Sequence, residues 1–191
     1  MSDFEQRLTE RLEPDLSIAD PRARISTYHD MPYALFRYDP GEEFELRRQV
    51  SMLETRLTGK GKRITRISLA DCLDEAMRSQ RPIEEWYAAE REQGVATIVQ
   101  TLHAVLSEYA PLVDLVAQRM PSDPDPRRDI VFILRAGALF PAYRTFSLPE
   151  QLQGRVPVPT ILFYPGDLEG AAGLRFMGEL QAEHNYRAKI Y

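Results

Sequence analysis

The sequence holds a single cysteine, Cys72, so no intrachain disulfide can form. A secreted, disulfide-stapled scaffold is excluded, and the pattern suits a reducing cytoplasm. No apolar run approaches the roughly 18 residues of a membrane-spanning helix. The longest strongly apolar run, Ile130 to Leu134, is strand-sized. Met1 to Pro14 lacks the basic start and continuous apolar stretch of a signal peptide. The expectation is a soluble cytoplasmic protein with no membrane partner. Positive charge is also short: 24 Lys and Arg against 29 Asp and Glu leave a net charge of -5. Whole-chain charge therefore offers nucleic acid no general attraction, and any such binding needs a local patch.

The 191 residues, 43% of them apolar and 28% charged, fit one compact core. A chain of this length buries roughly 70% of its unfolded surface and needs no staple. Ser2 to Arg11 reads as an amphipathic helix, with Phe4, Leu8 and Leu12 at four-residue spacing and breaks at Pro14 and Pro21. Residues 1–31 are thus expected to form an N-terminal helical appendage, and residues 32–191 a single α/β domain. Tyr33 to Tyr38 reads as a strand that ends in the turn Asp39-Pro40-Gly41. Glu42, Glu43 and Glu45 suit a helix start, Leu46, Val50, Leu53 and Leu57 give it an apolar face, and Gly59 ends it. Arg63 to Leu69 is a second strand, and Ser68 with Asp71 opens a helix through Met77.

Beyond Pro82, Ile83 to Gln93 forms a short helix, and helical spacing persists from Val95 to Met120, kinked or divided at Pro111. After the Pro121 to Arg128 loop, Ile130 to Leu134 is apolar without alternation, as in a strand covered on both faces. Pro159 to Tyr164 repeats that pattern and stops at Pro165-Gly166. Ala138 to Gln153 leaves room for a crossover helix, and Tyr186 to Tyr191 for an edge strand. The fold class is α/β: a mostly parallel open sheet with helices on both faces.

In such sheets the loop after the first strand is where phosphate is cradled, by glycines and a lysine. Here it reads Asp39-Pro40-Gly41-Glu42-Glu43. Three carboxylates repel phosphate, Pro40 has no N–H, and no lysine is present. Thr58-Gly59-Lys60-Gly61-Lys62-Arg63 imitates a phosphate loop but leaves a helix for a strand, so no helix N-terminus faces a ligand. Lys60, Lys62, Arg63 and Arg66 are instead candidate contacts to nucleic acid. The strand Ile130 to Leu134 ends in Arg135-Ala136-Gly137, with no acid for magnesium. His29, His103 and His184 are scattered, so neither metal nor cofactor is expected. Cys72, between Asp71 and Asp74, reads as a buried, inert thiol. Arg135, Tyr143, Arg144 and Arg175 lie at or near strand ends and are candidates for contact with a partner.

Several segments, in order and spacing, resemble the BrxB family of bacteriophage-exclusion (BREX) defence systems. They are Asp129-Ile-Val-Phe-Ile-Leu-Arg-Ala-Gly-Ala-Leu-Phe-Pro-Ala-Tyr-Arg144, Pro159-Thr-Ile-Leu-Phe-Tyr-Pro-Gly166, Leu174-Arg-Phe-Met-Gly178 and Asn185-Tyr-Arg-Ala-Lys-Ile190. The strand from Tyr33 and Ile67-Ser-Leu69 also sit where that family has them, so the likeness spans nearly the whole chain. This sequence departs from the family at Ile133-Leu-Arg-Ala-Gly137, where a Thr-Gly-Val-Gly-like stretch is usual. The resemblance implies a defence component encoded beside a methyltransferase, the alkaline-phosphatase-like PglZ, a large ATPase and a Lon-like protease. It carries over no catalytic residue. It implies a non-catalytic interaction subunit with PglZ as the expected partner, and a fold similar to a P-loop NTPase core lacking the P-loop. The alternatives are a divergent nucleotide-binding protein and an accessory subunit touching DNA within the complex.

Overall fold

The computed structural model describes residues 3–26, 31–170, 173–184 and 188–191, and of Phe146 and His184 the backbone. His29, the side chain of His184 and the stretch Asn185 to Arg187 lie outside that description, as does Ser2 at the expected helix start.

The chain opens with α1 (Asp3–Arg7), which widens into a π turn at Leu8–Leu12 and continues as α2 (Glu13–Ser17). The helix thus passes through Pro14 instead of breaking there. A proline nitrogen cannot bond the carbonyl four residues back. The π turn, closed by the Glu13 N–H on the Leu8 carbonyl, absorbs that gap. After α3 (Arg22–Ile25) come β1 (Tyr33–Tyr38), a 3-10 turn at Pro40–Glu42, α4 (Glu43–Gly59), β2 (Arg63–Ser68) and α5 (Leu69–Gln80). The Ser68 hydroxyl accepts the Asp71 N–H at 3.2 Å, so the expected cap forms.

Next are α6 (Ile83–Gln93) and α7 (Val95–Ala104), which runs into a π turn at Val105–Tyr109. Pro111 separates this from α8 (Leu112–Ala117), dividing the expected long helix in two. Then follow β3 (Asp129–Leu134), 3-10 turns at Ala136–Leu139 and Thr145–Ser147, and the short α9 (Leu148–Gln151). The last elements are β4 (Thr160–Glu169), β5 (Gly173–Phe176), β6 (Glu183–His184) and β7 (Lys189–Ile190).

The main sheet has the order β2-β3-β4-β1-β7, and each neighbouring pair is parallel. Alternate residues of the central strands serve opposite faces. Leu35, Val131, Ile133, Leu162 and Tyr164 join one buried cluster, with α5 to α9. Phe36, Ile130, Phe132, Ile161 and Phe163 join the other. Both faces are thus covered, which is why these strands show no apolar-polar alternation.

The described part of the N-terminal segment packs on the sheet: Phe4, Leu8, Leu12, Leu16 and Ile25 lie in the second cluster beside Leu46, Val50, Leu53 and Leu57 of α4. Their apolar stripe has nowhere else to be buried. Arg7 adds a clasp, donating from Nη1 to the carbonyls of Arg37 and Tyr191 at 2.8 Å each. A further expectation is corrected: β4 does not stop at Pro165-Gly166. Pro165 pairs with Tyr38 in the main sheet, and from Gly166 the strand turns antiparallel to β5. Gly166 is required there, since a Cβ would stand 2.2 Å from the Arg175 carbonyl oxygen.

Candidate functional site

In a parallel sheet, the crevice beyond the carboxyl ends of the strands is the usual place for a ligand. At the end of β1 this chain fills it from its own side chains. Asp39 Oδ1 accepts the Gly41 N–H at 2.7 Å, so the loop's donor is already spent. Glu43 accepts the Tyr38 hydroxyl and the Arg47 Nε, the latter at 2.8 Å. Burial, reinforced by the Glu43 carboxylate, pushes the Tyr38 hydroxyl well above its ordinary pKa.

Beyond Glu43 the crevice is lined by arginine. β3 ends at Arg135, whose backbone is left-handed, with φ 61° and ψ 36°. For a residue with a Cβ that conformation costs about 1–2 kcal/mol. The Arg135 guanidinium lies 3.5 Å from Asp71 and is half exposed. Arg66, from β2, pairs with Glu54 and donates to the Ser51 hydroxyl at 3.1 Å. Two cavities share the Arg47 and Arg135 walls. One, of about 230 Å³, is bounded by Pro40, Pro165 and Met177. The other, of about 340 Å³, is bounded by Val50, Leu134 and Arg66. Together they form a two-lobed groove across the ends of β1 to β4. A Cβ at Gly137 would stand 3.3 Å from the Met177 sulfur, so the groove floor is narrow there.

The four candidate partner residues are not brought together. Arg135 is in the groove. Tyr143 and Arg144 line a separate cavity of about 390 Å³ with His103, Gln151 and Glu183. In it Arg144 pairs with Glu183 at 3.2 Å, and His103 Nδ1 lies 3.0 Å from the Ala142 carbonyl. A carbonyl only accepts, so Nδ1 carries the hydrogen in this contact. Arg175 stands on β5, paired with Glu169 at 2.6 Å.

The basic cluster is engaged internally. Lys62 is 6% exposed and donates to the carbonyls of Ile18, at 2.5 Å, and Arg127, at 2.7 Å. Burial lowers the pKa of its ammonium. It is a strut between two loops, and its charge does not reach the surface. Lys60 pairs with Glu13 at 3.1 Å, and Arg63 grips Asp129 with two 2.6 Å hydrogen bonds.

Cys72 is buried as expected, and burial pushes its thiol up to about 11. Among the described residues no group of three His, Cys, Asp or Glu could hold a metal ion, and no helix is long and apolar enough to cross a membrane.

Sequence reasoning missed Arg47. On a solvated helix face, four residues after Glu43, it looks like an ordinary helix ion pair. Nothing local says that it lines a cavity with Arg135.

The fold and groove define a parallel-sheet α/β protein whose strand-end crevice is furnished with arginines and acids. The family model described as "BREX protein BrxB" matches residues 65–190, and the chain belongs to that family. A BREX protein BrxB of Bacillus cereus (strain H3081.97) is similar, 26% identical over 188 residues that cover 96% of this chain and 96% of that protein. No solved structure matches this chain.

Proposed function

We propose that this chain is a non-catalytic interaction subunit of a BREX anti-phage complex, docking on another component through the strand-end face, with PglZ the first partner to try. The observation that carries this reading is the β1–α4 loop. Its N–H is consumed by Asp39, and Glu43 reaches across to Tyr38 and Arg47, so the place for a phosphate holds carboxylates already in use. The sheet order, with β4 between β1 and β3, supports a core similar to a P-loop NTPase in which that cradle has been replaced. The burial of Lys62, whose ammonium is spent on two carbonyls, weighs against the DNA-contacting alternative at that residue.

Mixing the purified chain with each BREX component on a sizing column tests the proposal. Co-elution with PglZ is expected, and elution apart from every component overturns it. A thermal-shift scan with ATP and magnesium runs in parallel, with no stabilisation expected. A rise of several degrees favours the nucleotide-binding alternative, because a ligand of the native state raises apparent stability by mass action.

A further inference from the structure

We infer that the two-lobed groove between Arg47, Arg66 and Arg135 binds an acidic peptide segment of a partner protein, its carboxylates replacing the chain's own acids on these guanidiniums. This rests on the reading of the strand-end face as a docking surface, and it names the chemistry that surface selects.

Three elements deliver the arginines: α4 supplies Arg47, β2 supplies Arg66, and the residue after β3 is Arg135. Each side chain is 44–45% exposed, so each can exchange its partner without unfolding. Arg135 is held most loosely, by one contact of 3.5 Å to Asp71, itself 69% exposed. Its left-handed backbone is a second, independent sign. Strain of this kind persists where the surroundings over-determine it, and it clusters at ligand clamps.

The shape suits an extended chain. The lobes share Arg47 and Arg135, and each offers an apolar wall, Met177 in one and Leu134 in the other. At the rim Phe44 is 81% exposed, with the Arg47 guanidinium 5.3 Å from its ring centre. An aromatic beside an arginine is a common anchor at protein interfaces.

The choice of carboxylate over phosphate follows from charge and donors. A planar guanidinium fork matches a carboxylate, with two parallel bonds. Glu43 and Asp71 stand in the same groove, so the concentrated charge of a triphosphate meets repulsion that carboxylates spaced along a peptide, each exchanging with one acid, avoid. Pro40 has no N–H to give, and the Gly41 N–H is taken.

The test titrates the isolated full chain into a fluorescein-labelled peptide of alternating Asp and Leu, read by anisotropy at low salt. The controls are the same peptide with Asn for Asp, and inorganic triphosphate as competitor. Saturable binding is expected for the Asp peptide, with the Asn peptide at least about tenfold weaker. Arg135→Gly removes the guanidinium while easing the left-handed backbone, so binding weakens about tenfold with the melting temperature unchanged or raised. If that variant melts lower, Arg47→Gln decides by the same loss of binding. Absence of saturable binding, equal binding of the Asn peptide, unchanged binding by both variants, or displacement by triphosphate at lower concentration than by unlabelled Asp peptide overturns the inference. No BREX component is needed, so this titration can fail while co-elution stands, and co-elution can fail while it succeeds.

Discussion

Arg63 and Asp129 face each other across the β2–β3 pair, and both Asp129 oxygens receive a guanidinium N–H at 2.6 Å. Asp129 also accepts the Asp125 N–H at 2.8 Å, tying the preceding loop to the strand. Burial works to raise the Asp129 carboxyl, but the Arg63 fork and the Asp125 amide outweigh it and hold its pKa below the ordinary value. The folded value is the lower one, so the contribution is complete above the unfolded pKa of about 3.9 and is lost as pH falls through the folded value. Asp129→Asn is expected to cost about 1–3 kcal/mol at neutral pH. Urea unfolding should show the gap from the parent narrowing toward pH 3, whereas a gap that stays constant would count against the pairing.

Lys62 links the Ile18 and Arg127 carbonyls. Lys62→Ala strands both acceptors, with an expected loss of about 1–3 kcal/mol in urea unfolding. Any weak duplex binding at low salt should be the same in parent and variant. A mobility shift that disappears with Lys62 would return this residue to the nucleic-acid surface.

Leu12, in the N-terminal segment, is fully buried within its cluster. Leu12→Ala should cost about 2–5 kcal/mol. Trp86 lies in the opposite cluster, so its fluorescence is a distant witness. Its unfolding transition should move together with the circular dichroism transition, as one cooperative unit requires. An early, separate transition in the variant would mean that this segment unfolds on its own.

Cys72 is predicted to be slow toward thiol reagents. Moving a thiol from 9.0 to about 11 leaves, at pH 8, about a hundredfold less thiolate than in the unfolded chain. Absorbance assays of a disulfide reagent, with and without urea, should show that gap or a larger one. Comparable rates would mean an open thiol.

Much of the architecture was legible because it depends on local periodicity. The unbroken apolar run at Ile130 marked a strand buried on both sides, and the Leu46, Val50, Leu53, Leu57 stripe marked α4. Pro165 misled because a proline ends a strand only where its missing N–H is needed, and β4 changes partners at that point. Lys62 looked like surface charge because its acceptors lie 44 and 65 residues away. Half of the groove was readable, since Arg135 stands at a strand end. That it shares a cavity with Arg47 comes from two distant elements lining one space, and no local pattern encodes that.

The Arg7 clasp on the Tyr191 carbonyl, with Asp15 bonded to Lys189 and the Tyr191 hydroxyl at 2.6 Å each, brings the two extremities of the fold side by side. A circular permutant that joins residue 191 to residue 3 by a short linker, reopened at the exposed Gly94 between α6 and α7, would keep each strand pairing intact.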